Sequence, residues 1–325
     1  VRPIGRATRA TILLAALGLL ATACRGSAGG DAAIGGSPGS STPTTRALPA
    51  ARTADPGAVV TPEGVVVPVV ARLANGGWTI HTPCGTTASL RKGTPVTQAM
   101  VVLDPGHGGS DPGARSPSNL AESNVNLAVA RYTQAALQAS GVSVLLTRTA
   151  DYDLDLGPRA EIARDLQPLA FVSIHHNAEP DGPWPRPGSE TYYQIGSPDS
   201  KRLAGLVYEE VVKALSQYRV AWVADTDAGA KYRPGQHGDY YAMLRLPGTV
   251  VSVLAELAYI SNQPEADLLA RPEVQKVEGD AVARGILRYL TTSDPGSGFT
   301  VPYPRVDPPP DPNAPPPPAC RDPQL

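Results

Sequence analysis

Long hydrophobic runs are scarce in this sequence. The apolar stretch at 12–20 is too short to cross a bilayer as a helix. Neither sign of charge is in excess. Lys and Arg number 28 against 30 Asp and Glu, a net charge of −2. Nothing in that balance argues for nucleic acid as a partner. No internal repeat is visible, so repeat architectures are set aside. The glycine-rich segment around residue 107 also lacks the Gly-Lys-Ser/Thr ending of a phosphate loop. Asp111 at its sixth position breaks the G-x-G-x-x-G pattern as well.

Cysteine is sparse too, with three in 325 residues. Cys24 follows Leu20-Ala21-Thr22-Ala23, which resembles a lipoprotein cleavage site with its leucine one place early. Arg2, Arg6 and Arg9 precede the apolar run, so 1–24 read as a signal peptide. Lipid attachment at Cys24 and plain secretion both stay open, and Cys24 is a candidate membrane tether. Cys84 and Cys320 remain as a candidate disulfide in an oxidising compartment. The favoured reading leaves them apart, Cys84 buried and Cys320 in a loose tail.

Proline, by contrast, is abundant at 35 residues and gathers near both ends. Residues 25–57 read as a disordered linker and 293–325 as a proline-rich disordered tail. Residues 58–98 suggest a small β element: a strand-like GVVVPVVARL, a turn at Asn75-Gly76-Gly77, and a second strand WTIHT. His81 on that second strand reads as a surface residue. One hairpin is marginal alone and is expected to dock on the next domain.

Residues 99–292 alternate strand and helix patterns. Strands are expected at 100–104, 142–147, 169–174, 190–195, 220–223 and 249–257. Helices are expected at 122–140, 158–166 and 198–216, with one or two more over 264–290. This order predicts an α/β fold, a mostly parallel sheet with helices on both faces. The stretch MVVLDPGHGG opens it: an apolar β-branched run that stops at Pro105-Gly106, leaving His107 just past a strand's carboxyl end. Ligands bind at such edges.

His107, His175 and Glu256 all close apolar strands, and Glu122 starts the helix after the His107 turn. Two histidines and a carboxylate with an open position form a recognised catalytic zinc set. A separate carboxylate moves the proton. Glu256 lies inside VVSVLAELAYI, where an unpaired charge would be costly, so it suits that task. Taken singly, each residue has an ordinary structural explanation; Glu122, for example, is a helix-start acid favoured by the dipole.

DPGHGG, ESN, FVSIHHNA and LAELAYISN, in that order, are similar to motifs of the zinc-dependent type-3 N-acetylmuramoyl-L-alanine amidases. The resemblance implies one Zn2+ held by His107, Glu122 and His175, with Glu256 as catalytic carboxylate. It implies cleavage of the amide between N-acetylmuramic acid and L-alanine in peptidoglycan, at the cell envelope or outside the cell. The family carries a small residue where this chain has His176; alternation turns His175 and His176 to opposite sides. His176, Asn177 and Arg159 are expected to touch substrate or support the site, with a solvated or paired helix charge the alternative for Arg159. His237 reads as an ordinary loop residue near the groove, and Tyr192 and Tyr193 as strand packing. Two other readings stay open: another zinc amidohydrolase or peptidase, separated by which bond is cut, and a non-catalytic envelope-binding protein, separated by zinc content.

Overall fold

A computed structural model describes residues 55–178, 182–224, 227–302 and 319–325. The signal peptide, Cys24, nearly all of the 25–57 linker and residues 303–318 of the proline-rich tail lie outside the described residues. No helix among the described residues is long and apolar enough to cross a membrane.

The described chain opens with five strands, β1 (Ala58–Val60), β2 (Val66–Arg72), β3 (Trp78–His81), β4 (Thr87–Leu90) and β5 (Thr94–Val96). They form an antiparallel sheet in the order β4-β3-β2-β1-β5. The expected hairpin is its β2–β3 pair. The other strands have three or four residues each, too few to show alternation. His81 is half-buried, and its Nδ1 lies 2.6 Å from Glu161 Oε2. It ties this sheet to the next layer and is no bare surface residue.

Next come β6 (Val101–Pro105), α1 (Glu122–Ala139), β7 (Val144–Leu146), α2 (Leu156–Leu166) and β8 (Ala170–Asn177). After β9 (Pro183–Trp184) follow β10 (Glu190–Tyr193), α3 (Pro198–Leu215), β11 (Trp222–Val223) and β12 (Gly229–Lys231). The last elements are β13 (Pro234–Gly235), β14 (Gly238–Asp239), α4 (Ala242–Arg245), β15 (Ser252–Tyr259), α5 (Gln263–Leu269) and α6 (Pro272–Thr291). The main sheet runs β12-β10-β15-β8-β6-β7. Its neighbours are parallel except β10 against β15. This is the mostly parallel α/β sheet the sequence implies. The expected strand at 220–223 shrinks to β11, which pairs with β9 outside the main sheet.

Strand alternation sorts the core into two layers. Val101, Leu103, Val172, Ile174, Val253 and Ala255 join a buried cluster with residues of α1, α3 and α6. Val102 and Phe171 face the other way, onto Ala160 and Ile162 of α2 and Val66 of β2. The helices follow from their sequences. The Ser197 side chain caps α3 by accepting from Ser200 N at 3.2 Å, with Pro198 pre-set for the first turn. Gly141, at φ 78°, turns the chain out of α1.

The tail departs from expectation in both of its described parts. Phe299 bridges Ala230 in parallel fashion, and Arg202 holds the carbonyls of Tyr289 and Asp294 at 3.1 and 2.7 Å. Residues 293–302 therefore pack on the sheet edge. Further on, Cys320 is bonded to Cys84 across a sequence separation of 236. The unpaired reading is corrected: this long-range closure leaves no local trace in sequence. Around the bond, Arg321 N donates to Asp153 Oδ2 at 2.8 Å and Cys84 N to Asp322 Oδ1 at 2.8 Å. Leu325 packs on the cluster of Val59, Ile80 and Leu154.

A cross-link closing so long a loop constrains the unfolded chain strongly. Cys320→Ser is expected to lower unfolding free energy by about 2–5 kcal/mol. Denaturant titration with and without reductant checks this: wild type should fall to the variant's midpoint, and the variant should not respond.

Candidate metal centre

The β6 strand runs through Pro105, Gly106 N still donates to Ile174 O at 3.0 Å, and the chain then turns with His107 at φ 61°. A non-glycine residue there costs on the order of 1 kcal/mol or more. Two buried arginines hold the turn. Arg148 donates to the carbonyls of Pro105 and Gly106 at 3.0 and 2.9 Å. Arg159 donates to those of Pro105 and His107, both at 2.8 Å. Arg159 is also paired with buried Asp104 at 2.8 Å. It is thus a paired helix charge, as one alternative had it, and it clamps the turn; the solvated form of that alternative is set aside.

Glu122 enters from the start of α1, where the chain returns to this edge. It is 4% exposed. Its Oε2 accepts from Ala114 N at 2.9 Å and lies 3.3 Å from His107 Nε2. Its Oε1 lies 3.1 Å from His175 Nδ1 and accepts from His176 N and Asn126 Nδ2 at 3.2 and 3.1 Å. His175 lies two residues before the end of β8, and its ring sits edge-on to that of His107 with centroids 5.0 Å apart. One ligand atom from each of His107, Glu122 and His175 falls within 4.8 Å of the others. Glycines make the room: a Cβ on Gly106 would overlap the His175 ring, and one on Gly113 would crowd Glu122 and His107.

Electrostatics follow from this crowding. Burial alone would raise the Glu122 pKa, but the two imidazoles outweigh it and hold the carboxyl well below its usual range. Burial opposes charge on His107, yet Asp111 and Glu122 prevail and raise it to about 10. His175 goes the other way, lowered chiefly by burial. A buried carboxylate between two imidazoles is a place where a cation balances charge.

Glu256 stands beside His175 in the parallel register of β15 and β8. It shares the sheet face of His175, opposite the α1–α6 layer. Nearby Tyr241 is pushed up to about 12 by burial and by the Glu256 charge. Glu190 is next in the same row, paired with Glu256 across β10 and β15. Its carboxylate is fully buried and contacts Lys231 Nζ at 3.0 Å, Asn177 Nδ2 at 2.8 Å and Tyr259 Oη at 2.5 Å. Asn177 is thus bound to Glu190. His176 points away from this face into the α1–α6 layer and is 1% exposed, so it does not meet substrate. Arg148, Glu190 and Lys231 were missed in the sequence. Asp104 was readable by the argument used for Glu256, since it too interrupts an apolar strand.

The cavity over the centre has a volume of about 590 Å3, and Asp104, His107, Asp153, Arg159, His175 and Cys320 are on its walls. His237 lies in a separate surface cavity with Gln194 and Asp239. Tyr192 and Tyr193 are buried, as strand packing requires.

A family model described as N-acetylmuramoyl-L-alanine amidase matches residues 101–288. The uncharacterized protein YqiI of Bacillus subtilis is 33% identical over 209 residues, 64% of this chain and 90% of that protein. The germination-specific N-acetylmuramoyl-L-alanine amidase of the same organism is 30% identical, over 61% of this chain and 82% of its own length. Among solved structures, the amidase AmiC2 of Nostoc punctiforme matches with a TM-score of 0.50 and 33% identity, covering 58% of this chain and 96% of AmiC2. The CwlD amidase of Clostridioides difficile, solved with the GerS lipoprotein, matches at 0.52 and 29% identity, covering 59% of this chain and 98% of CwlD. With over half of its length matched, this chain belongs to the N-acetylmuramoyl-L-alanine amidase family. Peptidoglycan amidase activity comes with that membership.

Asp104 supplies a test of the arginine clamp. Burial raises its pKa, but Arg159, helped by Thr147 and Ser173, outweighs burial and leaves it lowered. A carboxyl depressed on folding stabilises above its unfolded pKa of about 3.9, and that contribution is lost as pH falls towards the folded value. Asp104→Asn is expected to destabilise at neutral pH by about 3–5 kcal/mol, since Arg159 loses its buried partner. It should also flatten the fall in stability below about pH 4, read from denaturant unfolding across pH.

Proposed function

We propose that this protein is an exported, zinc-dependent hydrolase of the amide between N-acetylmuramic acid and L-alanine in peptidoglycan. The observation that carries the metal is the convergence of His107, Glu122 and His175 donors within 4.8 Å. Two imidazoles and a carboxylate suit Zn2+, and three protein ligands leave a position for the reaction. Zinc, when bound there, lowers the pKa of water and polarises a carbonyl oxygen.

The protein's own groups do the rest. Glu256, on the same sheet face as His175, takes a proton from the attacking water and returns it to the L-alanine nitrogen as the C–N bond breaks. Glu190 cannot share this task, because Lys231 and three hydrogen-bonding neighbours hold it as a compensated, buried anion. The two arginines keep the His107 turn in its left-handed conformation, so the ligand is set before substrate arrives. The groove beside the histidines admits the lactyl-alanine junction of a polymer. Cys24 offers a lipid attachment point that would keep the enzyme at the envelope.

Glu256→Gln is expected to lower turnover of purified peptidoglycan by about 10²–10⁴-fold, with folding and zinc content unchanged. Chelation should abolish wild-type turnover and added Zn2+ restore it. Mass spectrometry of the products reads the bond: free lactyl ends with N-terminal L-alanine support the proposal. Cleaved stem-peptide bonds would replace it with a peptidase reading, and undigested polymer from zinc-loaded protein with a binding role.

A further inference from the structure

A second polar cluster lies on the far side of β8, in the layer that is otherwise the apolar core between the sheet and α1 and α6. Asn126, His176 and Glu278 are 0%, 1% and 0% exposed. His176 Nδ1 is 2.7 Å from Asn126 Oδ1, and His176 Nε2 is 3.3 Å from Glu278 Oε2. Asn126 Nδ2 donates to Glu122 Oε1 at 3.1 Å and to Gly106 O at 3.3 Å. The chain of contacts therefore runs from α6, through the sheet's buried layer, to the carboxylate at the metal centre.

The hydrogen inventory fixes the orientation of each group. Both partners of the Asn126 NH2 are oxygens that only accept. Its Oδ1 must then face His176, whose Nδ1 must carry a hydrogen. That leaves His176 Nε2 facing Glu278 Oε2 at 3.3 Å. Without Glu278 the imidazole has no reason to keep its hydrogen on Nδ1. Without that hydrogen the Asn126 amide can rotate, setting its oxygen against the Glu122 carboxylate. Burying three such groups in an apolar layer is costly unless their mutual bonds are complete. Leucine or alanine would fill the layer more cheaply.

We propose that His176 and Glu278 are positioning residues. They lock the Asn126 amide in the orientation that supports Glu122, and so set the affinity of the centre for its metal. This rests on the metal reading above and deepens it. Partners that orient a ligand from behind typically change metal affinity 10–100-fold when lost.

The test is a competition titration of Zn2+ against a chromophoric chelator, using the full chain. His176→Ala and Glu278→Leu should each weaken zinc binding about 10–100-fold. Glu278→Gln should retain wild-type affinity, because its amide can donate to His176 Nε2 and leave the Nδ1 hydrogen in place. The double variant His176→Ala/Asn126→Leu should lose no more than either single change, as links in one chain do. Thermal unfolding of the metal-free variants separates this from general loosening: stability loss in Glu278→Gln with intact zinc affinity supports positioning. Where a variant fails to fold, the 15N shifts of His176 in wild type decide, since an unprotonated Nδ1 overturns the proposal. Folded His176→Ala and Glu278→Leu with wild-type zinc affinity overturn it too, leaving the metal reading standing. Wild type without zinc affinity sinks both.

Discussion

Glu122 is a carboxylate placed where charge is expensive, and the architecture around it serves to compensate that charge. Each of its oxygens meets one imidazole and at least one N–H donor. Removing it from water would cost several kcal/mol if unpaired. The turn before α1 brings it to the sheet edge, Gly113 leaves space for it as Gly106 does for His175, and Asn126 one turn later steadies it. Few substitutions in this corner act on one residue alone.

The edge of the main sheet extends this principle sideways. His175, Glu256 and Glu190 occupy one register row on β8, β15 and β10. Neighbouring strands lie about 4.8 Å apart, so adjacent carboxylates in a row repel unless one is neutralised. Lys231 on β12 reaches Glu190 from beyond, and Tyr192 adds a hydroxyl to the same carboxylate. The antiparallel insertion of β10 into a parallel sheet is what sets Glu190 opposite Glu256. Topology here assigns two chemically identical side chains different charge environments.

The catalytic half of the fold was legible because its signals are strong and local. Apolar strands that stop at a histidine or enclose a glutamate mark a sheet edge, and α1, α3 and α6 are long enough for helical periodicity to show. What escaped was short, or depended on partners distant in sequence. The three-residue strands β1 and β5 carry no period. Arg159 looks like any helix-surface charge until Asp104 and the turn carbonyls are seen around it. His176 was correctly turned away from His175 by alternation, but α6 supplies its partner Glu278, 102 residues away. The Cys84–Cys320 bond was misread because composition gave its second partner a loose tail.

That bond has a chemical side as well as a mechanical one. Cys320 shares a cavity with His107 and His175. As a free thiolate it would be a soft donor beside the proposed centre, able to compete with imidazole for a borderline-soft ion bound there. Oxidised, its sulfur is no anion and has little appetite for zinc. Joining Cys320 to Cys84 therefore retires a rival ligand from the neighbourhood of the proposed centre.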